Sequence, residues 1–151
     1  VVAVSAGGDQ SLALTADGGV WSWGWGAFGR LGHGDQQSQL LPKKVEAFAG
    51  LRVVGVSAGY FHSFALTADG AVWSWGFGGQ GRLGHGDEQD QPWPKKVEAF
   101  AGQHVVAVSA GFYHSLAITD GAVYAWGLGE SGCLGHGEDL SSQLLPKKIE
   151  A

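Results

Sequence analysis

The sequence predicts an all-β fold made of three four-stranded blades of the β-propeller type. The first observation is a repeat: VVAVSAG at Val1–Gly7 returns as VVGVSAG at Val53–Gly59 and as VVAVSAG at Val105–Gly111. The second is the set of 27 glycines, which fall between short β-rich runs. The third is that no run shows a helical period. A repeat of about 50 residues that carries four short strands is typical of propeller blades.

The repeat sets the expected domain organisation. We expect one repeat domain over residues 1–151, with units at about 1–52, 53–104 and 105–151. Closed propellers usually have about 4–8 blades, so three blades would leave two apolar faces and unpaired strand edges exposed. Two answers stay open: an arc completed by the rest of a longer chain, or half of a six-bladed ring closed by a homodimer.

Within the first unit the strands are joined by short turns. We predict strands at Val1–Ser5, Ser11–Thr15 and Val20–Gly24, and a fourth run after the proline at Lys43–Phe48. Asp17-Gly18 is a hairpin signal, because glycine tolerates the positive φ that such a turn needs. The corresponding turn of the third unit is one residue shorter, a change that a hairpin absorbs without shifting the strand register.

Aromatic residues alternate along the third strand of each unit. Trp21 and Trp23 share one face of the strand, with Ser22 on the other face. Large aromatic surfaces of this kind suit packing of blade on blade. The leucine of each LG motif is expected to insert its loop into the core. The residues expected between blades are Trp21, Trp23, Trp73, Trp75, Trp126, Leu31, Leu83 and Leu134.

Composition narrows the classes of partner and location. The formal net charge of −5 argues against nucleic acid as the main ligand, because phosphate binding needs a basic surface. No apolar run approaches the roughly 18 residues of a spanning helix, so membrane insertion is not expected. The single cysteine, Cys133, excludes an internal disulfide framework, and no signal-peptide pattern begins at Val1. We therefore expect an intracellular protein of the cytoplasm or nucleus.

The full pattern VVAVSAG-x-x-HSLALT-x-DG-x-VWSWG-x-G-x-x-G-x-LGHGD resembles the regulator of chromosome condensation repeat. The resemblance covers essentially all 151 residues, since several fixed spacings recur three times. It implies a propeller fold, seven-bladed in the best-known members. It implies function less strongly, because propellers carry many unrelated roles.

Several patterns look like catalytic or cofactor motifs and are better explained by structure. Each unit contains G-x-G-x-x-G, but the next residues are RLGHGD or CLGHGE, which cannot start the helix of a dinucleotide site. His33, His85 and His136 should lie about 10 Å apart on neighbouring blades, too far to share a metal, and are expected to bond local backbone. Neighbouring His62 and Ser63 should point to opposite faces of their strand. We expect no catalytic residue, no cofactor and no metal.

The segment from Gly24 to Leu41 and its counterparts vary on a constant scaffold, which is how a binding face acquires specificity. Each candidate there could equally serve packing between blades or, for the acids, simple solvation. The partner-binding candidates are Trp25, Phe28, Phe77, Trp93, Asp87, Glu88 and Asp90.

The sequence therefore predicts a non-enzymatic propeller scaffold that binds other proteins through its loop face. The alternative, implied by the resemblance, is guanine-nucleotide exchange on a small GTPase. Photoreception, which the family also performs, uses tryptophans beside an arginine after the glycine of the VSAG-like strand. The slots here read Gly8-Asp9-Gln10, Tyr60-Phe61-His62 and Phe112-Tyr113-His114, so that pairing of tryptophan and arginine is expected to be missing.

Overall fold

The computed structural model describes residues 1–150 and contains three antiparallel four-stranded sheets, each a meander in chain order. Blade 1 holds β1 (Ala3–Ala6), β2 (Gln10–Leu14), β3 (Val20–Gly24) and β4 (Gln39–Lys44). Blade 2 holds β5 (Val53–Ala58), β6 (His62–Thr67), β7 (Val72–Gly76) and β8 (Gln91–Lys96). Blade 3 holds β9 (Val105–Ala110), β10 (His114–Thr119), β11 (Ala122–Gly127) and β12 (Gln143–Lys148). The predicted all-β architecture of three four-stranded blades is confirmed.

The only helical segments within residues 1–150 are 3-10 turns of three residues. They lie at Ala27–Gly29, Glu46–Phe48, Gly79–Gly81, Glu98–Phe100 and Glu130–Gly132. None of these segments is long and apolar enough to cross a membrane as a helix.

The hairpin between β2 and β3 fixes the register that places the tryptophans. In this register Ala13 lies opposite Trp21 and Ser11 lies opposite Trp23. Gly18 has a φ of +87° in the turn, and Gly19 N donates to the Asp17 carboxylate at 3.3 Å. Because the side-chain period of a strand is two, Trp21 and Trp23 share a face and Ser22 lies on the other.

The fourth strand of each blade was predicted too late in the chain. The prediction of Lys43–Phe48 is wrong, because β4 ends at Lys44 and Glu46–Phe48 is a 3-10 turn. The proline lies inside the strand rather than before it. A proline cannot donate to a ladder, but β4 is the outer edge of its sheet, where one side of the strand needs no donor.

The core lies between blades rather than within one. At the junction of blades 1 and 2, one face of blade 1 presents large aliphatic groups, and the facing side of blade 2 presents Ala65 and Trp75. We call the aliphatic face of a blade its forward face, and the face of the next blade that packs against it the rear face. The buried cluster is Leu12, Leu14, Val20, Val45, Phe48, Val53, Ala58, Ala65 and Trp75. The equivalent cluster between blades 2 and 3 is Phe64, Leu66, Val72, Val97, Phe100, Val105, Ala117 and Trp126.

Two such faces have no blade against them within residues 1–150. On the forward face of blade 3, Ile118 is 43% exposed, whereas its counterpart Leu14 is 3% exposed. A groove of ≈ 150 Å³ there is lined by Leu116, Ile118 and Val123 among others. On the rear face of blade 1, Trp23 is half-buried while the matching Trp75 is fully buried.

The meander also gives the molecule two distinct ends. Turns from the first to the second strand and loops from the third to the fourth strand emerge together, and we call that end the loop face. The β2–β3 hairpins and the connections to the next blade emerge at the opposite end, the hairpin face.

Candidate interaction surface on the loop face

Each long loop of the loop face begins with an equivalent 3-10 turn, and the middle residue of that turn has a left-handed backbone conformation. Phe28 has a φ of 64°, Gln80 of 58° and Ser131 of 63°. Side chains other than glycine adopt this region only at a cost of order 1–3 kcal/mol, and they do so where the surroundings impose it. The loops are therefore held firmly rather than free.

In the first two loops, side-chain acceptors from the end of the loop hold this turn in place. In blade 1, Phe28 N donates to Gln36 Oε1 at 3.2 Å and Gly26 N donates to Ser38 Oγ at 3.1 Å. In blade 2 the same two amides, of Gln80 and Gly78, donate to carboxylates. Gln80 N donates to Glu88 Oε1 at 2.8 Å, and Gly78 N donates to Asp90 Oδ1 at 2.9 Å. The two loops thus share one geometry and differ in charge.

In blades 1 and 2, a buried arginine follows the 3-10 turn of the long loop and joins its blade to the next. Arg30 Nη1 donates to Tyr60 O at 3.0 Å, and its Nε donates to Ala27 O at 3.0 Å. Arg82 repeats this with Phe112 O at 3.0 Å and Gly79 O at 2.9 Å. Both arginines are fully buried, and Cys133 occupies the third position. Each guanidinium therefore clamps the first turn of the next blade.

Aromatic rings lie directly against the two guanidinium groups, and carboxylates act on them from further away, Asp9 on Arg30 and Asp90 on Arg82. The Arg30 guanidinium lies 4.4 Å from the centre of the Trp25 ring and 5.0 Å from that of Phe61. The Arg82 guanidinium lies 4.5 Å from Phe77 and 5.1 Å from Tyr113. Burial lowers the pKa of both arginines, that of Arg82 to about 10, so both remain charged at neutral pH. Ring faces are negative and stabilise such cations.

The rings that surround the arginines form one continuous patch, which we call the aromatic platform. Tyr60 and Phe112 stack at 4.0 Å between centroids, and Phe28 and Phe77 lie 4.7 Å apart. Phe61 lies in the middle and contacts both pairs edge-on. The platform consists of Trp25, Phe28, Tyr60, Phe61, Phe77, Phe112 and Tyr113.

The platform is open to solvent at both ends. Trp25 is 47% exposed, Phe112 43% and Tyr113 41%, while the other four rings are half-buried. Apart from the two buried arginines, every charged group in the surrounding turns and loops is a carboxylate. These are Asp9, Asp35, Asp87, Glu88, Asp90, Glu130, Glu138 and Asp139. Exposed rings with an acidic rim are a surface suited to recognition.

The structure separates the predicted contact residues into two groups. Trp25, Phe28 and Phe77 lie in the platform. Trp93 instead lies at the outer rim, where its ring packs directly over the Cα of Gly34 in the preceding loop and remains 53% exposed. The acidic candidates of blade 2 rim the platform, and each also accepts a backbone N–H, as Asp87 does from Gln89 at 3.0 Å.

The residues predicted between blades differ in how deeply they are buried. Leu31, Leu83 and Leu134 are buried under their loops. Trp75 and Trp126 are fully buried at the two junctions, and Trp73 packs against Phe48 with a centroid distance of 6.0 Å. Trp21 and Trp23 are half-buried.

Sequence reasoning missed six residues of this surface. They are Arg30, Arg82, Tyr60, Phe61, Phe112 and Tyr113. A usable signal was present, because Tyr60-Phe61 and Phe112-Tyr113 replace Gly8-Asp9 in a turn, where large rings have no core to enter. Arginine and tryptophan are absent from the three turn slots named above, and their contact occurs elsewhere in the fold. Arg30 reaches Trp25 from a different loop position.

Two of the three histidines of the LGHG motifs form hydrogen bonds with serine hydroxyls, whereas His136 Nε2 has no hydrogen-bond partner among residues 1–150. His33 Nε2 lies 2.9 Å from Ser22 Oγ, and His85 Nε2 lies 2.9 Å from Ser74 Oγ. The backbone of Ser22 and of Ser74 also hydrogen-bonds the histidine of its blade, as expected for these two. Because each serine proton is donated to a leucine carbonyl, as from Ser22 to Leu31 O at 2.7 Å, the imidazole is the donor. Burial lowers the pKa of both histidines, that of His85 to about 4.

A histidine and a serine also meet across the second junction. His62 Nε2 lies 2.9 Å from Ser115 Oγ, and that hydroxyl donates to Arg82 O at 2.8 Å. Both side chains are fully buried, and burial together with the nearby Arg82 lowers the pKa of His62 to about 3. The pair is closed to solvent, and the serine proton is already donated, so the arrangement stabilises the junction. Among residues 1–150, no three His, Cys, Asp or Glu side chains converge to hold a metal.

Comparison with known proteins identifies the repeat. The model of the regulator of chromosome condensation (RCC1) repeat matches residues 17–66, 69–118 and 120–151, and a second model of the same repeat matches residues 1–30, 53–82 and 105–133. Among curated proteins, the chain is 41% identical over 151 residues to the ultraviolet-B receptor UVR8 of Arabidopsis thaliana, covering 99% of this chain and 34% of the receptor. It is 46% identical over 142 residues to the E3 ubiquitin-protein ligase HERC2 of Homo sapiens, covering 92% and 3%.

The solved structures agree. Prp20p from Saccharomyces cerevisiae, described with its binding properties to Gsp1p and histones, superposes with a TM-score of 0.88 at 27% identity. The match covers 99% of this chain and 38% of Prp20p. The chain thus spans about a third of the length of UVR8 and of Prp20p, and its blades are arranged as in an RCC1 propeller.

Proposed function

Because the chain belongs to the regulator of chromosome condensation (RCC1) repeat family, we propose that it is a non-enzymatic propeller scaffold that binds other proteins through its loop face. The observation that carries the proposal is the aromatic platform. Seven rings form one partly exposed patch, and side-chain hydrogen bonds hold the loops of blades 1 and 2 that carry three of them. Contiguous exposed aromatic surface with a polar rim is typical of protein-binding sites.

The relatives support the same class of function. Prp20p is described as binding Gsp1p and histones, and it has been solved with Kap60 bound. Many buried polar side chains hold blades and loops together, as Arg30, Arg82 and Ser115 do. The loop face is therefore the part of the molecule best suited to a partner.

The third unit supplies the variant that tests this proposal. Trp25→Leu, Phe28→Ser and Phe77→Leu together give the first two loops the residues of the third, Leu128 and Ser131. The matched control is Leu51→Gln with Arg52→His, which copies Gln103 and His104 onto the hairpin face. Quantitative affinity capture should show partners that are lost with the loop-face variant and kept with the control. Equal capture by both variants would exclude the loop face as the binding site.

We also propose that the open faces of blades 1 and 3 are covered by blades of the same repeat. The open residues Leu116, Ile118 and Val123 correspond to Leu12, Leu14 and Val20, which a rear face buries at the first junction. The covering blades belong either to a second copy or to the rest of a longer chain. Light scattering on a dilution series of the 15.7 kDa chain decides: a stable dimer indicates a second copy, and a monomer indicates a longer chain.

The second candidate function is guanine-nucleotide exchange on a small GTPase. The close superposition on Prp20p, whose described partners include Gsp1p, favours it. Release of a fluorescent nucleotide from a panel of small GTPases tests it, and acceleration that the loop-face triple variant abolishes would replace the scaffold proposal. Release rates that the chain leaves unchanged would remove this candidate.

The proposed location is intracellular, in cytoplasm or nucleus. An exposed free thiol at Cys133, without a disulfide among residues 1–150, supports a reducing compartment. Imaging of the tagged full-length protein tests this, and secretion into the medium would contradict it.

A further inference from the structure

Phe28 and Gln80 occupy equivalent positions in two neighbouring loops. Only Gln80 forms a hydrogen bond with the arginine of its loop. Gln80 Oε1 accepts a hydrogen bond from Arg82 Nη2 at 2.6 Å. Phe28 cannot accept one, and Arg30 Nη2 has no hydrogen-bond partner although it is fully buried. Leaving a buried donor of a charged group unpaired lowers stability. Phenylalanine in place of glutamine therefore weakens the first loop.

The backbone conformation also disfavours phenylalanine here. Phe28 lies in the left-handed region with a φ of 64°, where a bulky side chain is strained. Two separate features thus work against phenylalanine at this position. The residue contributes surface instead, since its ring lies 4.7 Å from Phe77 and 5.8 Å from Phe61 and extends the platform towards Trp25. A residue that costs stability and adds a partly exposed ring is more consistent with binding than with folding.

The charges around the platform indicate what it binds. The carboxylates of the rim form no ion pair in blades 1 and 2, because the ion pairs within residues 1–150 are Lys147 with Asp139 and Lys148 with Glu150. The buried Arg30 and Arg82 attract Asp9 and Asp90 at longer range. The lysines of β4 and β8 stand at the hairpin end of their strands. His33 and His85 are neutral at pH 7, because burial lowers the pKa of each. Apart from Arg30 and Arg82, whose guanidinium groups lie buried against the rings, every charge beside the platform in blades 1 and 2 is therefore negative.

We propose that the platform binds a basic protein segment: an extended peptide with an aromatic or aliphatic anchor flanked by lysine or arginine. The anchor packs on Trp25, Phe28 and Phe77, and the flanking cations face Asp87, Glu88 and Asp90 and the outer faces of the rings. This inference rests on the proposed function of the loop face and specifies the chemistry of its partner.

Blade 1 provides a charge-neutral copy of the blade 2 rim. Glu88→Gln with Asp90→Ser gives blade 2 the residues Gln36 and Ser38, which accept the same two backbone bonds without charge. The reverse pair, Gln36→Glu with Ser38→Asp, adds charge at matched geometry. Phe28→Gln copies Gln80, offers Arg30 Nη2 an acceptor and removes the ring.

The experiment selects binders to the chain from a random linear peptide library and measures their affinity for each variant at two salt concentrations. Selected peptides should be rich in lysine, arginine and apolar anchors. The affinity of the selected peptides should fall about five-fold for Glu88→Gln with Asp90→Ser and should rise for the reverse pair. Salt should reduce both effects. Phe28→Gln should lower the affinity of these peptides about ten-fold, while the melting temperature of the protein stays the same or rises. That combination separates a binding role from a structural one.

The contrary results distinguish failure of the basic partner from failure of the loop face. Selected peptides that are neutral or acidic, yet still weakened by Phe28→Gln, would overturn the basic partner and leave the loop face as the binding site. Peptides that no loop-face variant affects would overturn both. A library that yields no binder would overturn the basic partner, and the capture experiment with the triple variant would then decide the proposed function.

Discussion

The two junctions between blades have the same architecture and differ in how completely their polar groups are paired. At the second junction, Arg82 Nη2 bonds Gln80, Trp126 Nε1 donates to Arg82 O at 3.0 Å, and His62 bonds Ser115. At the first junction, the equivalent groups of Arg30 and Trp75 have no hydrogen-bond partner.

The difference shows which parts of a junction the fold requires. Apolar packing, the arginine clamp and the serine bonds from Ser63 to Arg30 O and from Ser115 to Arg82 O occur at both junctions. Other polar bonds, such as those from Arg82 to Gln80 and from Trp126 to Arg82 O, are present at the second junction only, so they adjust stability without determining the fold. The less satisfied junction is also the one beside Phe28.

The largest expected effect comes from removing a clamp. Arg82→Cys copies Cys133 and deletes the bonds to Phe112, Gly79 and Gln80, and should lower the free energy of unfolding by about 3 kcal/mol. Arg30→Cys deletes fewer bonds and should cost about 2 kcal/mol. Urea denaturation measures both. Equal losses would show that the extra pairing at the second junction has no energetic weight.

The second expectation concerns acid. The pKa of His62 is about 3 in the fold against an ordinary 6.5, so the unfolded chain takes up this proton at a higher pH than the folded chain. The stabilisation from neutral His62 is complete above pH 6.5 and declines as the pH falls towards 3. One such group contributes a slope of up to about 1.4 kcal/mol per pH unit.

His62→Gln copies Gln10 and should make the stability less dependent on pH over this range, leaving the contribution of His85, whose pKa is about 4. Denaturation midpoints at a series of pH values give the slope directly. If the slope of stability against pH is the same in the variant, groups other than His62 cause the loss of stability in acid.

The third expectation converts the satisfied junction into the unsatisfied one. Gln80→Phe should leave Arg82 Nη2 without a partner, as Phe28 leaves Arg30, and cost about 1–2 kcal/mol. Gln80→Asn retains an amide and serves as the control. If thermal unfolding places Gln80→Phe at or above the parent chain, the unpaired nitrogen of Arg30 is not a weakness either.

The smallest expected effect separates the two buried tryptophans. Trp126→Phe removes a bonded indole N–H, whereas Trp75→Phe removes one that has no partner. Both variants lose similar volume, so Trp126→Phe should be the more destabilising by about 1 kcal/mol. The comparison of their unfolding free energies checks this, and a reversed order would argue against the hydrogen bond to Arg82 O.

Local patterns within one repeat made parts of the fold predictable. Val20–Gly24 was predicted with its observed bounds, because two tryptophans alternating with serine specify a strand and Asp17-Gly18 specifies the turn before it. The fourth strand was misplaced, because proline normally breaks a ladder and only the topology shows that β4 is an edge.

The contacts across junctions could not be predicted in the same way. His62 and Ser115 are far apart in the chain, and the pairing of neighbours along a strand says nothing about contacts between blades. The aromatic platform was anticipated in part, through Trp25, Phe28 and Phe77. Tyr60 and Phe112 come from equivalent turns of neighbouring repeats, and only the packing of blades stacks them.

The platform draws its rings from all three blades: Trp25 and Phe28 from the first, Phe61 and Phe77 from the second, and Tyr113 from the third. The clamps, by contrast, each join one blade to its immediate neighbour, so the array should open stepwise from its ends, as in other linear repeats. A ligand lying across the platform would contact all three blades and so link them across both junctions. Its binding should slow amide exchange in the terminal blades more than in the central one and make the opening of the three blades a single event.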